Sequence, residues 1–190
     1  ETCMRAIPMW RSDTSCSAGN PEWEQRQTMG LSQFIPLHMA CSHSPEAYDT
    51  RSTATYGSIF QFALLEEGFP YQLARRAIAE NRTNRPYWLG DFYPLTEASV
   101  APEDWAAYQF HRPDWDAGVV LAFRHSESPD DTLDVSLGGV STEGSYVVTF
   151  IDEDRNVSRR QLSGADMTSR LVLSVPEPRA SLLVRYERVS

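Results

Sequence analysis

The sequence predicts an α/β half built from parallel βα units, followed by an antiparallel β-sandwich. Two observations carry this. Across residues 1–96, short apolar runs alternate with helical patterns, strand then helix three times over, which is the grammar of parallel βα units. After Pro102 short segments of β character follow one another between Gly, Pro, Asp and Asn clusters, the pattern of a sandwich of about six to eight strands. With 190 residues, 41% hydrophobic and 11% aromatic, the chain has enough apolar material for a real core, which excludes a wholly disordered protein.

In the first half, "AIPMW" at 6–10 is continuously apolar and followed by polar residues, so it reads as a short buried strand. Pro21 to Leu31 reads as a helix, with Pro at its start, Glu22 and Glu24 in its first turn and Gly30 near its end. "FIPLHMAC" at 34–41 is a second strand, in which Pro36 is a blemish. A helix is expected from about Thr50 to Gln61, and a third strand over Phe62 to Leu65. Pro70 then opens a helix carrying Leu73, Ala77 and Ile78 at helical spacing, and Pro86 stops it.

In the second half, "DWAAYQFHR", "GVVLAFRH", "DTLDVSL", "SYVVTFID", "NVSRRQLS", "RLVLSV" and "SLLVRYERV" are the expected strands. The domain boundary falls in "YPLTEASVAPED", giving domains 1–96 and 97–190. Gly90, Asp91, Phe92 and Tyr93 are expected in the connection. The sequence shows no internal repeat and no low-complexity tract.

Composition excludes several functions. All 17 basic residues are Arg, against 26 Asp plus Glu, for a net charge of -9. Without lysine there is no Schiff-base chemistry and no Walker-type phosphate lysine. The net charge repels a phosphate backbone, so no nucleic-acid partner is expected. No stretch approaches the roughly 18 to 20 apolar residues of a membrane helix, and no membrane partner is expected. Cys3, Cys16 and Cys41 cannot all pair and form no CxxC. A start at Glu1 is read as the mark of something removed ahead of it or of a piece of a longer product.

Asp13 has two readings on pattern alone. It caps a helix or ends a strand, or it is a carboxylic acid just beyond the strand that ends at Trp10. In a parallel βα barrel such a position faces the catalytic mouth. There a carboxylic acid beside an aromatic wall can have its pKa raised and serve as a proton donor. His38, Cys41 and His43 look like a metal site at first glance. On a strand, however, Cys41 and His43 share a face and His38 points the other way, and no second cluster completes a shell. No metal is therefore expected; His43 is the functional candidate and His38 a core histidine. No GxSxG elbow supports a serine nucleophile. Glu66 and Glu67, being adjacent, would face opposite sides of a strand. Trp105, Trp115, Tyr108 and Phe110 read as core rather than as a sugar-stacking platform.

Four runs, "RAIPMWRSDTSC", "GLSQFIPLHMACSHSP", "YDTRSTATYGSIFQFALLEEG" and "RPYWLGDFYPL", occur in this order over roughly residues 5 to 95. Together they resemble the last part of α-galactosidase-type glycoside hydrolases, family thirty-six and its relatives. In that family a strand ending W-x-S-D carries the general acid/base, and a P-L strand leads to a His. A T-R pair opens the next helix, and a GDFYxL segment leaves the barrel toward a C-terminal sandwich. The resemblance implies the closing βα units of a (β/α)8 barrel, a C-terminal β-sandwich and a retaining α-glycosidase acting on α-D-galactosides without a cofactor. Asp13 then matches the acid/base, Trp10 and Ser12 its neighbours, and Trp10 and His43 would contact the carbohydrate substrate. The family's K-W-D nucleophile and C-S-G-G loop have no counterpart here, and Thr14 follows Asp13 where relatives often carry Asn or Asp. The resemblance thus implies a fragment that is inactive alone and self-associates through its open barrel edge. The alternative is a non-catalytic, carbohydrate-associated or structural module.

Overall fold

The computed structural model describes residues 9–10, 20–35 and 38–189, with 9 and 10 described by their backbone. The chain divides into two compact units, Glu1–Leu89 and Gly90–Ser190.

The first unit holds short parallel strands between helices. Strand β1 (Met9–Trp10) runs parallel to β2 (His38–Met39), with Met9 level with His38 and Trp10 level with Met39. After Ala40 the chain continues as β3 (Cys41–Ser42), which pairs in parallel with β4 (Ile59–Phe60). The β4 ladder is made by Ile59 N–H to Ala40 O at 2.8 Å and Gln61 N–H to Ser42 O at 2.9 Å. Residues 38–42 therefore have β1 and β4 as parallel partners in chain order. Of the strand expected at 6–10, Met9–Trp10 forms a ladder and residues 6–8 lie outside the described residues. Of that expected at 34–41, His38–Met39 and Cys41 are in ladders, Phe34 is in a turn, and residues 36–37 lie outside the described residues. The third lies at Ile59–Phe60 rather than at 62–65, where Leu64 and Leu65 are exposed.

Helix α1 (Pro21–Ser32) starts as expected: the Asn20 side chain accepts from Glu22 N–H at 3.1 Å, ahead of Pro21 and two glutamates. It buries Pro21, Glu24, Gln25, Thr28, Met29 and Ser32, a stripe at i, i+3/4, i+7/8. Much of that stripe is polar and is satisfied across helices. Gln25 Nε2 donates to Ser52 Oγ at 2.9 Å and Thr28 Oγ1 to Ser52 O at 3.3 Å. Helix α2 covers Ala47–Ser52, not Thr50 to Gln61. Hydroxyls end it early: Thr50, Ser52 and Thr53 donate back to the carbonyls of Glu46, Tyr48 and Asp49, and Ser58 donates to those of Thr53 and Thr55. Such side chains compete with the helical ladder. Thr50 and Arg51, expected to open a helix, thus close one. Helix α3 (Tyr71–Asn84) follows Pro70 as expected and passes into a 3-10 turn at Arg85–Leu89. No helix among the described residues is long and apolar enough to cross a membrane.

The second unit is antiparallel. The seven expected segments form β6 (Trp105–Arg112), β7 (Ala117–Arg124), β8 (Thr132–Val135), β9 (Ser145–Ile151), β10 (Val157–Ser163), β11 (Leu171–Ser174) and β12 (Ala180–Arg188). The sheets are unequal: six strands in the order β10-β9-β12-β7-β6-β5, where β5 is Asp91–Pro94, and the pair β11-β8. Its core joins the two layers, with Val120, Val148 and Val184 of the large sheet clustered with Leu171, Leu173 and Met167. Met167 comes from α4 (Gly164–Ser169).

Strand β5 (Asp91–Pro94) is the residue run expected to be a connection. It pairs with β6 instead, with Phe92 opposite Phe110. Phe92 is half-buried, edge-on to Phe110 at 5.2 Å and tilted against Tyr108 at 6.0 Å. A fully buried Phe would cost about 3 to 5 kcal/mol on truncation; a half-buried one on an edge strand should cost about 2. Phe92→Ala should therefore lower the chemical-denaturation stability of this unit by that amount. A loss near zero would mean β5 is not held by its ring contacts.

One buried polar string crosses the sheet. Gln109 Nε2 donates to Tyr186 Oη at 2.6 Å and to Gly138 O at 2.8 Å, and Gly138 N–H returns to Gln109 Oε1 at 2.9 Å. His111 Nδ1 lies 2.9 Å from the same hydroxyl and its ring stacks on Tyr186. The tight connection needs glycine: Gly139 has φ +73° and a Cβ there would meet the His111 ring at 2.6 Å. Burial raises the phenols of Tyr186 and Tyr146, the latter to about 12. Burial also lowers the pKa of His111 below 6.5, outweighing Asp116 and Asp91, which pull it up. The unfolded chain then takes a proton first as pH falls through 6.5, so His111 contributes stability above that pH that is lost below it. His111→Gln should flatten the stability difference between pH 7 and pH 5, two values chosen to bracket an ordinary histidine. An unchanged slope in the variant would assign the dependence to other groups.

Candidate functional site

Strand β1 pairs in parallel with β2 and β3 with β4, so His43 after β3 and Gln61 after β4 leave at the same end of their ladder. In parallel βα folds this is where functional side chains gather. Asp13 lies outside the described residues. Trp10 ends β1 and is placed by its backbone, level with Met39.

His43 is exposed and is the first residue after β3. Its Nε2 lies 3.9 Å from the thiol of Cys41, and that thiol donates to Gln61 Oε1 at 3.5 Å. Cys41 and His43 share a face, as strand alternation required. His38 faces away and is buried, with Nε2 3.1 Å from Ser32 Oγ. Among the described residues no group of three or more His, Cys, Asp or Glu is placed to hold a metal ion.

Gln61, the first residue after β4, was hidden in the sequence by its expected place in a helix. The ladder bond from its own N–H to Ser42 fixes it beside His43's strand. A cleft of about 260 Å³ opens here, lined by Asn20, Pro21, Glu24, Cys41, Ser42, His43, Ser44, Asp49 and Thr53. Its walls come from the first turn of α1, the end of β3 and α2. The Ser42 hydroxyl donates to Ser44 O at 2.8 Å, and Ser44 Oγ accepts from Glu46 N–H at 3.2 Å, which sets the turn into α2. The lining offers an imidazole, two carboxylates and hydroxyls. That is a mixed set of donors and acceptors suited to a small polyhydroxylated ligand. Sequence reasoning found His43 but not Glu24 or Asp49. Glu24 was assigned to the helix start, and Asp49 carried no pattern that set it apart.

Behind the cleft, Arg51 at the end of α2 is clamped to Glu80 of α3, Nε to Oε1 at 3.0 Å and a terminal nitrogen to Oε2 at 2.7 Å. Tyr48 Oη donates to Glu22 Oε1 at 2.9 Å. Through these bonds α1 and α3 hold the short α2 from either side.

No family model matches the chain, and no curated protein does. Solved structures do. The GH36 α-galactosidase AgaB from Geobacillus stearothermophilus is similar at a TM-score of 0.69 and 17% identity. A variant of AgaA from the same organism, in complex with raffinose, is similar at 0.68 and 15%. The galactosidase domain of α-galactosidase-sucrose kinase, AgaSK, is similar at 0.64 and 16%. Each match covers 91% of this chain and 25% of the other. At these identities the likeness is one of fold: over nine-tenths of its length the chain has the fold of about a quarter of a GH36 α-galactosidase.

Proposed function

We propose that the chain is part of a retaining α-glycosidase acting on α-D-galactosides. In this reading the first unit supplies the closing βα units of a (β/α)8 barrel, and the second is its C-terminal sandwich. The reading is supported most by the fold likeness to α-galactosidases in a chain whose sequence reads R-S-D directly after Trp10, the last residue of β1. The parallel order of β1 to β4 and the cleft beside His43 add to it. Asp13 protonates the leaving oxygen while a carboxylate supplied by another part of the protein attacks the anomeric carbon. Asp13 then takes a proton from the water that opens the glycosyl-enzyme. Trp10 and His43 contact the sugar, and Glu24 and Asp49 are placed to accept hydrogen bonds from its hydroxyls.

The test is stereochemical. Full-length protein should hydrolyse an aryl α-D-galactoside and release the α-anomer first, read by proton NMR. The isolated 190-residue chain should be inert, since retention needs two carboxylates about 5 Å apart. Release of the β-anomer first would overturn the retaining mechanism, and an inert full-length protein would overturn the enzyme reading.

A further inference from the structure

The outward face of β10, β9 and β12 carries a second cleft, in the unit that the sugar reading leaves without a chemical role. Its volume is about 340 Å³ and it is lined by Val147, Thr149, Arg159, Arg185, Glu187 and Arg188. The register sets three of these in one row: Arg159 on β10 is opposite Thr149 on β9, which is opposite Arg185 on β12. Neighbouring antiparallel residues lie about 5 Å apart, so the two arginines stand about 10 Å apart with Thr149 midway. Thr149 is nearly buried, a floor between two long side chains. Arg159 is exposed and makes no hydrogen bond or ion pair among the described residues. Arg188 is committed to Asp116 at 2.8 Å.

Edge strands often carry charge to block pairing, and β10 carries two arginines side by side. Arg160 lies on the opposite face, 5.5 Å over the Phe150 ring. Arg159 is turned into the cleft instead. In a chain of net charge -9, a cleft with three guanidinium groups, one of them paired with Asp116, and one carboxylate of its own reverses the local sign. Guanidinium groups that line the cleft from the strands on either side of Thr149 supply planar donors that match the oxygens of a carboxylate, phosphate or sulfate. A polyanion would meet the repulsion of the whole molecule, whereas a small anion meets the cleft within a screening length. We propose that this cleft binds a small oxyanion between Arg159 and Arg185, over Thr149. The inference does not depend on the glycosidase reading.

The test is an amide NMR titration of the 190-residue chain at constant ionic strength with inorganic phosphate and, separately, with galacturonate. Saturable shifts centred on residues 149, 159 and 185 are expected, with a dissociation constant of about 1 to 10 mM. Arg159→Gln should weaken binding by about tenfold or more. Glu187→Gln should tighten it several-fold, because it removes the one carboxylate in the cleft, and unfolding cannot mimic that gain. Response to both probes marks a general oxyanion site, and response to galacturonate alone marks an acidic sugar. No saturation by about 50 mM with either probe, well beyond that range, overturns the proposal. So do shifts that neither variant alters.

Discussion

Turnover of a galactoside with a poor leaving group is expected to fall about 10²- to 10⁴-fold when Asp13 is replaced by Ala in the full-length protein. The residue stands three positions after Trp10, the last residue of β1, and the role proposed for it is proton transfer to and from oxygen. That role makes the loss depend on the leaving group. An aryl leaving group of low pKa departs without much help, so formation of the glycosyl-enzyme should be nearly spared and its hydrolysis should become limiting. Added azide, a nucleophile that needs no general base, should then restore turnover and yield a glycosyl azide of retained configuration. Asp13→Asn should behave like Asp13→Ala, since the amide cannot exchange the proton. Equal losses on good and poor leaving groups, with no rescue by azide, would remove Asp13 from the acid/base role.

The sequence and the structure part company where hydroxyls and short ladders decide the outcome. The second unit was legible because Gly, Pro and Asp clusters punctuate its strands, and all seven segments appear where composition put them. Its unequal sheets were not legible, because a β segment does not declare which sheet it joins. Helix α4 left a signal that went unread: Ser163 Oγ accepts from Asp166 N–H at 3.1 Å, an S-x-x-D cap before a short helix. In the first unit, Pro21 and Pro70 marked two helices correctly. The third strand was displaced because "FALL" is the more apolar run, whereas the ladder formed at Ile59–Phe60 beside Cys41–Ser42. The site followed the same division. Period-two alternation separated His43 from His38, but Gln61 could not be seen until β4 was in place.

Glu80→Ala should destabilise the first unit by about 3 to 5 kcal/mol, the cost of removing one member of a buried ion pair. Arg51 is 1% exposed and Glu80 10%, so water screens the pair little and cannot replace the lost carboxylate. A surface pair of the same geometry would contribute about 0 to 1 kcal/mol, so burial decides the magnitude. Arg51→Met should cost a similar amount by removing the two-bond guanidinium donor of Glu80. The double variant Arg51→Met/Glu80→Met should recover much of the loss, because an apolar pair of similar volume carries no desolvation cost. The effect should also reach the cleft. Helix α2 begins four residues after His43, and α3 follows the β4 segment that carries Gln61, so loosening their clamp should release both strand ends. Hydrogen exchange reads this directly: amides of α2 and α3 should speed up in each single variant and slow again in the double variant. Single variants that lose less than about 1 kcal/mol would place the pair in the solvated class, and the two helices would then have to be held by their hydroxyl and amide bonds alone.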